Sequence, residues 1–252
     1  MEDRILLGRG RQFLELPQAM WKKHLTQVPQ HSQPRLNFMT ETHYRVRYFV
    51  IKKLLDLQTP IGPDFIASML NMPQTKVEAA LKEMEENLFF LVRNANGAVT
   101  WAYPLTVEST PHWLSFSTGS GAYASSADDA IAAAYVQGNL RNEYVSTDIE
   151  TRCVHCDRVL NISIDSNMRF TVKEKNLGAY PLVFIPDVDW TNFKAANIIE
   201  AYCRNSVFYF NEECAREMRT EIEQVNGVYL TLEQCSYTTP VTQGTLFGFD
   251  RE

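Results

Sequence analysis

Hydrophobic residues recur at helical spacing from residue 41 onward and at strand-like spacing later in the chain. One helical face is apolar, at Tyr44, Tyr48, Ile51, Leu54 and Leu55. Pro60-Ile61-Gly62-Pro63 breaks this predicted helix, and further helices are predicted over 64–70 and 73–88. Apolar runs at 89–92 and 99–103 flank Asn94-Ala95-Asn96-Gly97, which is typical of a β-hairpin.

Three helices followed by a hairpin predict a winged helix-turn-helix-like domain over residues 41–105. Such a domain can bind DNA through its third helix, which here carries Lys76 and Lys82. The same helix carries more acids than bases, namely Glu78, Glu83, Glu85 and Glu86. Arg93 is the only base in the hairpin. Because an acidic helix is poorly suited to a groove lined with phosphates, we expect a structural domain and no DNA partner.

The first 40 residues are predicted to form an N-terminal extension that packs on the body or trails from it. It contains one candidate amphipathic helix, around Phe13 to Leu25, and a polar stretch with two prolines, Gln27 to Arg35.

From residue 106 the pattern predicts a mixed domain that extends to residue 252. His112 to Ser117 alternates like a strand, and Tyr123 to Gln137 is a predicted helix ended by Gly138. Short β-like runs follow at 159–164, 169–172, 182–185, 207–210 and 228–232, with helical runs near 193–201 and 212–224. Since strands and helices do not alternate strictly, the fold class is α+β.

Composition and charge narrow the class of protein. The chain has 252 residues, of which 45% are hydrophobic, and a formal net charge of −6, so no broad basic surface for nucleic acid is expected. It has no apolar run long enough to span a membrane and no signal peptide at Met1-Glu2-Asp3-Arg4. These features predict a cytoplasmic protein whose five cysteines are thiols.

Ser126 and Asp129 form the first candidate site. They lie three residues apart at the start of the alanine-rich helix, so their side chains are close. The same spacing is nearly a capping box, in which the serine oxygen accepts a hydrogen bond from the amide three residues on. Ser125 with Asp128 is an equally good cap one residue earlier, and the spacing does not choose between the two.

The cysteines supply further candidates. Cys203 lies between an apolar helix and the Phe208-Tyr209-Phe210 strand, where it is either a small buried hydrophobe or a thiol whose pKa Arg204 lowers. Cys153-Val154-His155-Cys156 is a C-x-x-C that offers half of a zinc site, a redox pair or two free thiols. Further zinc ligands from Cys203, Cys214 or Cys235 require the chain to fold back, and we assign Cys214 and Cys235 no role.

The order of these segments resembles that of the organomercurial (alkylmercury) lyase family, the MerB-like proteins. The resemblance runs from about residue 41 to about residue 235. It places Ser126 at the family's first catalytic cysteine, Asp129 at its catalytic aspartate and Cys203 at its second catalytic cysteine. Cys153 matches a further cysteine of the family that is thought structural. Tyr123-Ala124 and Tyr202-Cys203 match the family's flanking residues.

The resemblance implies an α+β alkylmercury-lyase-like domain after the winged helix and a protonolytic reaction on an organometallic substrate. In the family two thiolates hold the mercury of R–Hg⁺, because mercury is a soft ion that prefers sulfur to oxygen. The aspartate then protonates the leaving carbon as a general acid, and an exogenous thiol removes the product. No resident cofactor is implied, although zinc or mercury can occupy the cysteine sites at Cys203, Cys153 and Cys156.

Serine at position 126 departs from the family pattern, because an alcohol is a poor ligand for mercury. Three hypotheses follow. The first is a lyase-like enzyme with weakened or altered activity, in which Cys203 binds metal, Asp129 donates the proton and Ser126 assists. The second is a non-catalytic protein that binds a soft metal or small ligand on the same scaffold. The third is a winged-helix regulator, which the acidic third helix disfavours.

Overall fold

A computed structural model describes residues 4–26, 37–87, 91–141, 145–165, 167–173, 178–187, 199–221 and 224–247. Within them, two antiparallel sheets are combined with helices, as the α+β class predicts. The helices are α1 (Gln18–Leu25), α2 (Glu41–Leu57), α3 (Pro63–Leu70), α4 (Gln74–Asn87), α5 (Ala127–Arg141), α6 (Glu212–Glu221) and α7 (Leu232–Phe247), with a short π-helix at Ile199–Cys203. None of the described helices is long and apolar enough to cross a membrane.

The strands fall into an eight-stranded and a five-stranded sheet. They are β1 (Arg4–Arg9), β2 (Gln12–Pro17), β3 (Leu91–Arg93), β4 (Val99–Ala102), β5 (Leu105–Thr106), β6 (Trp113–Phe116), β7 (Gly121–Ala124), β8 (Thr147–Arg152), β9 (Val159–Ile164), β10 (Phe170–Val172), β11 (Leu182–Pro186), β12 (Val207–Tyr209) and β13 (Gly227–Thr231). The larger sheet has the order β10-β9-β8-β6-β7-β5-β4-β3, and the smaller has the order β12-β11-β13-β1-β2.

Helices α2, α3 and α4 pack through apolar faces, and of the predicted face of α2 Ile51, Leu54 and Leu55 are buried whereas Tyr44 and Tyr48 are only partly buried. The buried positions are Val46, Val50, Ile51, Leu54, Ile66, Val77, Leu81 and Met84. Helix α2 ends where Gln58 takes a left-handed conformation, and α3 begins with Pro63 in its first turn. The predicted hairpin is formed by β3 and β4, with Gly97 at a positive φ of 77°. Residues 88–90 lie outside the described residues.

Strand β4 also pairs with β5, so the hairpin is one end of the eight-stranded sheet. Arg93, the base of the hairpin, donates hydrogen bonds to the carboxylate of Glu85 on α4. His43 on α2 contacts Glu83 on α4 at 3.1 Å. Both contacts hold α4 against its neighbours.

The predicted helix from Phe13 to Leu25 is wrong in its first part, because Gln12–Pro17 is strand β2 and the helix begins only at Gln18. Strand β1 lies between β13 and β2, with Leu6 opposite Tyr229. Phe13 packs on the Tyr229 ring at 5.0 Å between centroids. Phe13 and Leu16 are the partly buried side chains of β2, and Pro17 allows the helix to start after the strand. The polar stretch Gln27 to Arg35 lies outside the described residues.

The predicted limits of the alanine-rich helix are also wrong. Tyr123 and Ala124 belong to β7, and the helix runs past Gly138 to Arg141. Its alanines are buried, so packing outweighs the cost of about 1 kcal/mol for a glycine inside a helix. Strand β8 was missed by the sequence pattern, and of the helical run near 193–201 only the π-helix from Ile199 lies in the described residues.

Arg219 of α6 fixes the N-terminal hairpin on the smaller sheet. It is fully buried and donates to the hydroxyl of Tyr229 at 2.7 Å, to the carbonyl oxygen of Val225 at 2.9 Å and to that of Gly10. A Cβ at Gly8 would lie 2.2 Å from the guanidinium carbon of Arg219. Glycine at position 8 therefore makes room for a buried charge that joins three parts of the sheet.

Candidate functional site

Two segments far apart in the sequence meet at the N-terminus of α5. The backbone amide of Ala127 donates to the carbonyl oxygen of Ser206 at 3.1 Å, and the amide of Asp128 donates to the Ser206 hydroxyl at 3.3 Å. Ser206 lies in the loop between the π-helix and β12. The structure therefore brings the segment of Ser126 and Asp129 together with that of Tyr202 and Cys203.

Ser126 is the cap of helix α5. Its hydroxyl oxygen accepts from the amide of Asp129 at 3.2 Å and donates to Oδ1 of Asp128 at 2.8 Å. Ser125 has different partners, since it donates to the carbonyl oxygen of Pro104 at 3.3 Å and accepts from the Trp101 indole. Of the two capping pairs between which the spacing did not choose, the structure forms Ser126 with Asp129. The Ser126 hydroxyl both accepts and donates a hydrogen bond.

Asp128 is the hydrogen-bonding centre of the site, and the sequence reasoning gave it no role there. Its carboxylate accepts from the Tyr202 hydroxyl at 2.6 Å and from the Ser206 hydroxyl at 2.5 Å, in addition to Ser126. Tyr202 stood inside the motif that carried the resemblance, yet the sequence gave no sign that its hydroxyl reaches the helix. Asp128 thus links the two segments through three side chains.

Asp129 lies in an environment that favours its protonated form. Its side chain is 1% exposed, and neither carboxylate oxygen has a hydrogen-bond partner of normal geometry among the described residues. Burial raises the pKa of Asp129 well above its usual value and the nearby Asp128 charge raises it further, against a smaller opposing effect of Ser125, Ser126 and Tyr103. The surroundings of Asp129 therefore favour the protonated carboxyl group over the carboxylate.

This proton makes the stability of the fold depend on pH. The folded-state pKa of Asp129 is raised. The contribution of its protonated carboxyl group to the free energy of unfolding is therefore fully present below the unfolded pKa of about 3.9, and it is lost as the pH rises toward the folded value. We expect Asp129→Asn to be more stable than the parent protein at neutral pH. The difference should grow with pH at up to about 1.4 kcal/mol per pH unit. Urea unfolding between pH 4 and pH 8 measures it, and parallel curves for the two proteins would contradict the protonated state.

Cys203 is the buried thiol of the site. It is 4% exposed, and burial, together with the charges of Asp129 and Asp128, raises its pKa well above the usual value. Arg204 does not lower it, because that guanidinium is exposed and forms an ion pair with Glu200 at 2.6 Å. Cys203 is thus a neutral thiol beside two carboxyl groups.

A second cluster contains Cys153, Cys156 and Cys214. Their sulfur atoms all lie within 4.8 Å of one another, and Cys214 and Cys156 are 3.7 Å apart. The cluster could hold a metal ion. Of the three predicted metal-ligating cysteines, the structure unites Cys153 and Cys156 but does not place Cys203 in this group. Cys214 comes from α6, 58 residues beyond Cys156, and only the fold brings it there.

Cys156 and Cys214 of this cluster differ in acidity. Burial acts to raise the pKa of Cys156, but hydrogen bonds, chiefly from Arg158, outweigh it and lower the pKa to about 7. Burial and the neighbouring sulfurs raise the pKa of Cys214 to about 12. All five cysteines of the chain are free thiols in the structure.

The fold and the two cysteine-bearing sites define an α+β protein with a MerB-like fold. It is similar to the crystal structure of the mercury-bound form of MerB2, with a TM-score of 0.68 and 13% sequence identity over 88% of this chain and 99% of that chain. This likeness shows the fold alone. No protein-family model matches the chain, and no curated protein matches it by sequence.

Proposed function

We propose that the protein is an organomercurial-lyase-like enzyme that cleaves a carbon–mercury bond, or a related carbon–metal bond, by protonation. The observation that carries the proposal is the buried carboxyl group of Asp129, whose pKa is raised, beside the thiol of Cys203. A carboxylic acid that holds its proton at neutral pH is suited to general acid catalysis. The mercury-bound form of the structural neighbour supports the choice of metal.

The first step is thiol exchange at Cys203. An organomercurial enters as R–Hg–SR′, the complex that forms with a small thiol in a reducing cytoplasm. The Cys203 sulfur replaces the small thiolate on mercury, and the Cys203 proton leaves with it as R′SH. A neutral Cys203 is adequate for this step, because the departing thiolate takes up the proton and the soft metal favours sulfur.

The second step is protonolysis by Asp129. The carbon–mercury bond breaks, its electron pair takes the carboxyl proton of Asp129, and R–H leaves. Mercury stays on the Cys203 sulfur as a cation, and the new Asp129 carboxylate balances its charge. Tyr202 and Ser206 act as positioning residues, since they hold Asp128 next to the acid. Exogenous thiols then remove Hg²⁺ and return the proton.

Benzene release from phenylmercury in the presence of excess small thiol tests the assignment of the acid. We expect Asp129→Asn to lower the rate by on the order of 100-fold or more, the usual effect of a general acid. Asp128→Asn is the matched neighbouring variant and should lose less, because Asp128 positions the site without donating the proton. A larger loss of rate in Asp128→Asn than in Asp129→Asn would contradict the assignment of Asp129 as the acid.

A second candidate function is tight binding of a soft metal or small ligand without turnover. One observation favours it. The Ser126 hydroxyl is engaged with Asp128 and with the Asp129 amide, so Cys203 would hold mercury without a second protein sulfur from α5. Mercury retained by the chain with no release of benzene at any pH would select this candidate.

Residues 41–105 support a structural role in either case. We assign α2, α3, α4 and the β3–β4 hairpin to a winged-helix-like domain that carries one end of the eight-stranded sheet. The pairing of Arg93 with Glu85 supports this role over DNA binding. Residues 106–252 would then form the lyase-like domain, completed by strands β1 and β2 from the first 40 residues.

A further inference from the structure

We propose that Cys153, Cys156 and Cys214 bind a zinc ion that joins the β8–β9 hairpin to helix α6, separately from the Cys203 site. Three sulfur atoms within 4.8 Å of one another can share one ion. Thiolates are preferred ligands of Zn²⁺, which binds them at about 2.3 Å in tetrahedral geometry. The proposal does not depend on the lyase-like activity, because none of the three thiols is used in that reaction.

The first two ligands lie on a turn that is shaped to present both sulfurs. Cys153-Val154-His155-Cys156 connects β8 to β9, and the amide of Asp157 donates to the carbonyl oxygen of Cys153 at 3.0 Å. Asp157 has a positive φ of 55°, which turns the chain into β9. The amide of Val154 donates to the carbonyl oxygen of Phe208 at 3.0 Å and fixes the turn on β12.

The third ligand stands in the first turn of α6. Asn211 precedes this helix and accepts from the amide of Cys214 at 2.9 Å through its side-chain oxygen. A Zn²⁺ ion deprotonates a coordinating thiol, and the positive end of the helix dipole then stabilises the negative charge of the bound Cys214 sulfur. Cys153 and Cys214 are buried and Cys156 is partly exposed, so an ion could enter from the Cys156 side.

The local charges suit a divalent ion. Three thiolates and one Zn²⁺ leave a net charge of −1. The guanidinium of Arg158 compensates this charge, because its Nε donates to the Cys156 sulfur at 3.3 Å. Arg158 is held in place by stacking on the Phe210 ring at 3.8 Å from the centroid. A monovalent ion on three thiolates would leave a larger uncompensated charge.

The fourth ligand would come from solvent. No other histidine, cysteine or carboxylate among the described residues joins the three sulfurs within 4.8 Å. His155 is on the same turn, but its Nδ1 lies 3.6 Å from Oε2 of Glu217 on α6. A water molecule or a small thiol in the fourth position completes a tetrahedral site.

Zinc titration of the full chain, in competition with a chromophoric chelator, tests the site. We expect one zinc per chain. We also expect Cys156→Ser and Cys214→Ser each to bind zinc at least about 100-fold more weakly. Replacing a residue that only hydrogen-bonds a metal ligand already lowers the metal affinity by about 10- to 100-fold. Cys235→Ser, another buried cysteine, is the matched control and should bind as the parent does. Loss of zinc in Cys203→Ser would place the ion at the other site and overturn the proposal.

Because metal binding and folding are coupled, a serine variant could lose zinc simply by failing to fold. A second measurement therefore uses the unaltered chain. In the unaltered chain, zinc should protect Cys156 from alkylation by iodoacetamide, and peptide mass spectrometry reads the modified cysteine. Protection together with the affinity losses supports the site. Equal alkylation of Cys156 with and without zinc, or unchanged zinc affinity in both serine variants, would overturn it.

Discussion

Replacing Cys203 with alanine is expected to abolish the binding of phenylmercury at the lyase-like site. The sulfur of Cys203 lies beside Asp128 and Asp129, and its burial shields it from ions in the solvent. Without it, the groups that remain in the hydrogen-bonded network around Asp128 are oxygens, and these bind mercury poorly. We expect the affinity to fall by about 1000-fold or more, which corresponds to about 4 kcal/mol.

The measurement counts phenylmercury on the intact chain by mass spectrometry, in excess small thiol and with zinc present to occupy the second cysteine cluster. Cys235→Ala is the matched control, because Cys235 is also buried and close enough to Asp128 for that charge to raise its pKa. If Cys203→Ala retained phenylmercury and Cys235→Ala lost it, the mercury ligand would be the thiol of α7. Retention in both variants would remove the lyase-like proposal altogether.

Ser126→Cys is expected to increase the rate of benzene release by on the order of 100-fold, a change that corresponds to about 2.7 kcal/mol in the activation barrier. Position 126 is the cap of α5, directly before the pair of carboxyl groups. A sulfur there could hold the mercury together with Cys203, and a second thiolate pushes electron density onto the metal and weakens its bond to carbon. The helix dipole favours the thiolate form of the new residue.

The same substitution should cost stability, because cysteine is a poor cap and the loss of a serine cap costs about 1 kcal/mol. Ser125→Cys is the matched control, since the Ser125 hydroxyl accepts from the Trp101 indole and donates to the Pro104 carbonyl oxygen, whereas Ser126 caps α5. Equal rates in the two cysteine variants would show that a sulfur near α5 is sufficient at any position. No gain in Ser126→Cys would mean that serine is not what limits the reaction.

The elements in which apolar residues recur with a clear period were predictable from the sequence. The elements whose burial depends on residues far away in the chain were not. Most of the apolar face of α2 and the alternation at β6 follow from local periodicity, and the structure has both. Strand β1 was missed, because its burial comes from β13, more than 200 residues later. The helix end at Gly138 was wrong because burial of the neighbouring alanines, a tertiary effect, decides where α5 stops.

The candidate site was predictable as residue types but not as a network. The resemblance brought Ser126, Asp129 and Cys203 to attention, and the structure brings their two segments together. Sequence spacing could not show that Asp128 accepts hydrogen bonds from Tyr202 and Ser206, because those contacts span more than 70 residues. Roles assigned to these residues stay predictions until turnover is measured.

The cysteine cluster shows the same limit. A C-x-x-C turn is visible in the sequence, and Cys214 is visible as a single cysteine near the start of a helix. Only the position of α6 against the β8–β9 hairpin unites them. Because a tetrahedral site draws ligands from separate elements, local spacing reveals half of it at most.

The place of β1 in the smaller sheet has a consequence for folding during synthesis. Leu6 pairs with Tyr229, and β1 separates β13 from β2, so the centre of this sheet cannot assemble until nearly the whole chain has left the ribosome. Helices α2 to α4 are built from local contacts and can form early. The edge of β1 that pairs with β13 must meanwhile stay open to other chains, even when β1 has already paired with β2. We expect chaperone binding to nascent chains to continue until residue 231 emerges.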